Sequence, residues 1–179
     1  QVNHFLITSI IGLDYISKEN VSCPQDLSTV WNPQDKQVSI CRSREYILKM
    51  FLASAVDSLD SYFFMINRNP SILPEDTMRF FDDNKNSRSV NVKFEHLYSR
   101  YANVGNLNKY AALIALAIQW RNNLLHFSSN NSIDAKYIKI LESSKPFYKE
   151  NCCGLDVEIM IEHFHNCNSP TFKETASII

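Results

Sequence analysis

The sequence predicts an all-α protein, a single bundle of five to seven helices joined by long polar loops. Only three glycines stand among 179 residues, far fewer than the turns of a many-stranded sheet require. Apolar residues also recur at i, i+3, i+4 and i+7 over long segments, the period of a helix rather than a strand. With 45% hydrophobic and 12% aromatic residues the chain can bury one full core, so residues 1–179 read as one domain. The chain begins at Gln1 without methionine and stops inside an expected helix, as a fragment of a longer chain does.

Phe5 to Ile16 is apolar and rich in β-branched residues, so periodicity leaves it open between a short helix and a strand. Val21 to Ile40 holds Pro24, Pro33 and many polar residues, the composition of a loop that wraps the surface. Ser43 to Asn67 reads as a long helix, because Leu48, Leu52, Ala55, Val56, Leu59, Phe63 and Ile66 keep helical spacing and Pro70 closes it. Pro70 to Asn91, with two prolines and the run DDNKNSRS, reads as an exposed loop carrying a turn of helix around Met78 to Phe81. Val92 to Tyr101 is a shorter amphipathic helix, and Asn106 or Asn108 can cap the next.

That next helix is the most apolar of the chain, Tyr110 to His126, YAALIALAIQWRNNLLH. Ile133 to Tyr148 follows as one helix, with Ser132 as N-cap and an end near Pro146 or soon after. Leu155 to Phe164 and then Ser169 to Ile179 complete the order; in the last, serine at the N-cap and Pro170 at the first helical position mark the start.

Eighteen Lys and Arg against nineteen Asp and Glu leave a formal net charge of −1, so no long-range field draws nucleic acid or an anionic membrane. Any grip on such a partner is local, for example through Arg42, Arg44 and Lys49 or through Lys136, Lys139 and Lys145, whose plainer reading is a solvated helix face. No stretch approaches the roughly 20 apolar residues of a membrane span, so no membrane is expected. Five cysteines, odd in number and irregularly spaced, fit a reducing, cytoplasmic setting better than a disulfide framework. The two Asn-x-Ser sequons, at Asn20 and Asn130, are what chance gives in a chain this rich in asparagine.

Cys152, Cys153, His163, His165 and Cys167 are metal-ligand residue types, but adjacent cysteines rarely serve one tetrahedral ion, and histidines two apart on a helix point to different faces. No metal is therefore expected. The three glycines are isolated and form no phosphate loop, and no cofactor is expected either.

Chemistry concentrates at the end of the apolar helix. At about 100° per residue, Trp120, Leu113, Leu124, Ala117, Ile114, Leu125 and Ile118 form a continuous apolar arc with Arg121 near its centre. A guanidinium keeps its charge, so Arg121 must meet an acid, a partner subunit or a ligand phosphate. The structural candidate is Asp60, at the edge of the apolar stripe of the 43–67 helix, with Asp57 further round. Gln119, Asn122 and His126 share a second face, and Arg121 and His126 lie about 140° apart. For His126 the plainer role is to complement the negative end of the helix dipole.

Arg121-Asn122-Asn123-Leu124-Leu125-His126 reads R-N-x-x-x-H, and in this it resembles the HEPN superfamily of small all-helical domains. The resemblance covers those six residues strictly and the helical order of about Ser43 to Tyr148 loosely. It implies a metal-independent endoribonuclease, a toxin or defence effector, acting as a homodimer with two copies of the motif in one composite cleft. In that reading His126 moves protons as the RNA 2′-hydroxyl attacks phosphorus, Arg121 stabilises the phosphoryl oxygen and Asn122 orients one or the other. Asp60 and Gln119 would support. An antitoxin or regulatory domain would be a further partner. The resemblance equally admits a catalytically silent dimerisation or binding module of a larger defence or signalling protein.

Overall fold

The computed structural model describes residues 2–19, 21, 33–83, 89–101, 103–125 and 132–178, with side chains from His4 onward. Among these residues all regular structure is helical, in nine helices rather than five to seven. Three differences account for the larger number: the ambiguous first segment is a helix, the turn at Met78 to Phe81 grows into one, and the helix predicted over Ile133 to Tyr148 is two.

Helix α1 (Val2–Lys18) lies antiparallel on the first half of α2 (Lys36–Ile66). Leu6 and Ile10 bury themselves against Leu48 and Phe51 in a small cluster separate from the main core. Arg44 pairs with Asp14, and Lys36 Nζ donates to the Glu19 carbonyl at 2.6 Å, fixing the antiparallel sense. Helix α2 starts seven residues before the predicted position. Asp35 caps it, accepting from Val38 N at 3.0 Å, and Ile40 in the supposed loop is buried. At 31 residues α2 is about 46 Å long, so its first half serves α1 and its second half the core.

Helix α3 (Glu75–Asp82) follows Pro74, its first turn carrying Glu75 and Asp76 where the helix dipole favours acids. Phe81 packs edge-on against Phe63 of α2, with ring centroids 5.9 Å apart. Helix α4 (Val90–Tyr101) leans on α2, α3 and α5.

Helix α5 (Leu107–Leu125) is the centre of the molecule. Ala111, Ala112, Leu113, Ala115, Leu116, Ala117, Ile118 and Trp120 are all buried, which wraps apolar contact almost all the way round. The alanines let neighbouring helices approach closely. Lys109 N and Tyr110 N both donate to the Asn106 carbonyl, which places Asn106 at the N-cap.

Helices α6 (Ala135–Ser143) and α7 (Lys145–Asn151) break at Ser144 because Pro146 lacks an N–H and restricts the residue before it. The cap of α6 is Asp134, accepting from Lys136 N at 2.9 Å, in place of the predicted Ser132. Asp156 caps α8 (Val157–His165) through Glu158 N and Ile159 N. Helix α9 (Phe172–Ile178) starts later than its Ser169-Pro170 signal. Thr171 and Glu174 form the reciprocal capping box instead: Glu174 N donates to Thr171 Oγ1 at 3.2 Å and Thr171 N to Glu174 Oε2 at 2.6 Å. Among the described residues no helix is long and apolar enough to cross a membrane.

Candidate functional site

The end of α5 is fixed from two sides. Trp120 is fully buried and its indole N–H donates to the Asn168 carbonyl at 2.9 Å, pinning this turn to the α8–α9 connection. Next to it, Arg121 faces α2. Its Nη2 donates to Asp57 Oδ1 at 2.8 Å and its Nη1 to Asn122 Oδ1 at 3.1 Å. The arginine side chain keeps 23% exposure and the aspartate 64%, so the pair sits at the rim of the core. Arg121 Nε is covered and has no hydrogen-bond partner among the described residues.

The acid on Arg121 is thus Asp57, and the assignment to Asp60 is corrected. Three residues apart on α2, the two carboxylates differ by about 60° in direction, enough to address different neighbours. Asp57 meets α5, whereas Asp60 accepts from Lys93 Nζ of α4 at 2.9 Å. Lys93 is buried, with 9% of its side chain exposed, and needs that carboxylate. A buried lysine on α4 was the missing signal: Lys93 lies beside Phe94 in a segment read only as amphipathic.

Gln119 is half-buried and, by helical geometry, about 160° round α5 from Arg121, so it does not join that contact. Asn122 lies between, bonded to Arg121. His126, the third residue of the motif, lies outside the described residues. Asn123 faces the other way and lines a cavity of about 610 Å³ between α6 and α8, with Ile138, Lys139, Phe164, His165 and Cys167 among the walls. Sequence reading missed this groove, which needs the packing of α6 on α5 and α8. On the Arg121 side, an apolar cavity of about 270 Å³ runs between α2, α5 and α9, bounded by Val56, Ser58, Ala117 and Ile178. Ala117 is one turn before Arg121 and Ser58 adjoins Asp57.

Of the six cations considered for a local grip on nucleic acid, three are held by acids: Arg44 by Asp14, Lys136 by Glu95 and Lys145 by Glu158. Burial pulls the Lys136 ammonium down, but the hydrogen bond and charge of Glu95 with the charge of Asp134 outweigh it, and the net shift is upward. Glu95 also accepts from the Tyr137 hydroxyl at 2.6 Å; burial and that bond push the phenol well above its ordinary range. Arg42 and Lys139 are exposed and Lys49 is half-buried.

The cysteine and histidine constellation does not gather. Cys152 is buried, its thiol pushed up by burial and by neighbouring Cys153, while Cys153 and Cys167 are exposed. His163 Nδ1 lies 2.9 Å from the buried Glu174 carboxylate, which is the acid of the α9 capping box. Among the described residues there is no group of three or more His, Cys, Asp or Glu side chains that could hold a metal ion.

The site is therefore an arginine anchored to a neighbouring helix by an aspartate and to its own helix by an asparagine, at the end of the central helix of an all-α fold. Comparison of the chain with protein-family models, with curated proteins and with solved structures gives no match.

Proposed function

We propose that this chain is a metal-independent endoribonuclease of the HEPN type, a cytoplasmic toxin or defence effector that works as a homodimer with a composite site. The observation that supports it most is the setting of Arg121 and Asn122: the first two residues of R-N-x-x-x-H sit at the last turn of the central helix, with the guanidinium anchored and partly open to solvent. Two of the five guanidinium N–H groups bond to Asp57 and Asn122, which leaves donors for a phosphoryl oxygen. An arginine fixed in this way would lose little freedom on meeting the charge that develops in the transition state.

In the reaction the 2′-hydroxyl oxygen attacks the adjacent phosphorus while its proton passes to a base. The P–O5′ bond breaks and the leaving oxygen takes a proton, giving a 2′,3′-cyclic phosphate and a 5′-hydroxyl. Imidazole titrates near neutrality and suits both transfers, the role assigned to His126. Arg121 would hold the non-bridging oxygens, and Asn122 would keep the guanidinium in register through its present bond. A second subunit would bring the arginine of one copy to the histidine of the other, which resolves their 140° separation on one helix. Incubation with RNA in EDTA, comparing the natural chain with His126→Ala, tests the reading.

One observation favours a second reading, a silent HEPN-type dimerisation or binding module with an antitoxin or regulatory domain as partner. Arg121 already has an acid in Asp57, and half of the cations suited to RNA are paired. In that case RNA is neither cut nor bound, and Arg121 is a structural ion-pair residue.

A further inference from the structure

Helix α1 is apolar on both sides but covered on one. Leu6 and Ile10 face α2, and Phe5 borders that side with its ring 5.5 Å from Phe51 yet stays 67% exposed; Ile7, Ile11 and Tyr15 stay 46%, 61% and 61% exposed. Among the described residues no helix other than α2 packs on α1 to a comparable extent. A helix hydrophobic all round belongs in an interior, and a patch of this kind on a folded surface marks an interface. We propose that the outer face of α1 is a self-association surface, covered by α1 of a second copy of this chain. This inference rests on the fold and is independent of the ribonuclease reading.

Three features select a second copy. At roughly 150–250 Å² for a whole large side chain, the four exposed fractions amount to about 350–590 Å². A standard interface takes about 800 Å² from each partner, roughly 56–65% of it apolar, so this face provides the apolar share of one side.

The pattern also matches itself. Ile7, Ile11 and Tyr15 form an i±4n ridge centred on Ile11. Across a two-fold axis through Ile11, Ile7 meets the partner's Tyr15 and Ile11 meets the partner's Ile11, the isologous arrangement that closes a dimer. Beside the ridge, on the same outer arc, lie Thr8 and Gly12. The Thr8 hydroxyl is bonded to the His4 and Phe5 carbonyls, and a Cβ added at Gly12 would meet nothing within 4 Å. A glycine in mid-helix costs about 1 kcal/mol against alanine, and nothing among the described residues requires it there. A ridge from a second helix approaching over Gly12 would.

Charge disfavours the other occupants. Lys18 is the only lysine or arginine of α1, so the face lacks the cations that RNA or an anionic membrane surface would need.

The test uses the 179-residue chain in light scattering and sedimentation across the micromolar range. The natural chain should reach twice its 20.7 kDa mass. Ile7→Glu with Ile11→Glu should raise the dimer dissociation constant at least about thirtyfold, with an unchanged circular dichroism spectrum. Ile72→Glu, more exposed at 76% but remote in sequence from α1, should leave it unchanged. If the double variant fails to fold, a photo-crosslinking phenylalanine at position 11 of the otherwise natural chain decides, and its crosslink should map to residues 7–15 of the other copy. A monomer throughout, a dimer indifferent to the α1 substitutions, a crosslink to any other segment, or sedimentation with phosphatidylserine vesicles overturns the proposal.

Discussion

Asp57 and Arg121 join the two longest helices of the described structure: Arg121 Nη2 donates to Asp57 Oδ1 at 2.8 Å across 64 positions of sequence. The contact ties the second half of α2 to the last turn of the central helix. With the aspartate 64% exposed it is a rim ion pair, and such pairs contribute about 1 kcal/mol or less. Arg121→Ala should therefore fold, losing about 1–2 kcal/mol in urea denaturation, and so should Asp57→Asn. Loss of folding in Arg121→Ala would make the arginine a structural residue.

Asp60 should matter more to stability than Asp57, though their side chains are 46% and 64% exposed. Its partner Lys93 is buried, and Asp60→Ala strands that ammonium inside the fold, at a cost of about 2–3 kcal/mol. Lys93→Met, which keeps the stem and removes the charge, should be milder than Asp60→Ala. Chemical denaturation of the three variants checks the order.

Leu116 is fully buried on α5 among residues of the main core. Leu116→Ala should cost about 3–4 kcal/mol, whereas Leu6→Ala, in the separate α1–α2 cluster, should loosen α1 with less effect on the core. Amide exchange on the two variants separates local from global opening.

Alkali should destabilise the fold from about pH 10, the ordinary tyrosine range. Burial, with the Glu95 bond for Tyr137 and the charge of Cys152 for Tyr148, raises both phenols in the folded state. A raised folded pKa means stability that is complete below the unfolded value and lost as pH climbs toward the folded one. Melting temperatures should fall above about pH 10, and less steeply in Tyr148→Phe, whose hydroxyl otherwise donates to the Lys109 carbonyl at 2.7 Å.

The helical class and the central place of α5 were legible because apolar period and glycine scarcity are local properties. What was not legible came from neighbours. Asp35 caps an α2 whose first turns lie against the end of α1, where Lys36 and Gln37 donate to the Glu19 and Ser17 carbonyls. The break at Ser144 was written in Pro146, yet the apolar stripe running across it made one helix look continuous. Asp57 and Asp60 flank the same stripe, and nothing in α2 itself says which carboxylate meets an arginine and which a lysine. That choice is made by Lys93 on α4.

The most direct test of the central claim is the chemistry of RNA ends after incubation with the natural chain in EDTA, read by mass spectrometry beside His126→Ala and Arg121→Ala. Fragments should end in 2′,3′-cyclic phosphate and begin with 5′-hydroxyl, and they should be absent with either folded variant. Intact RNA with a folded, dimeric natural chain, or cleavage that survives His126→Ala, would contradict it.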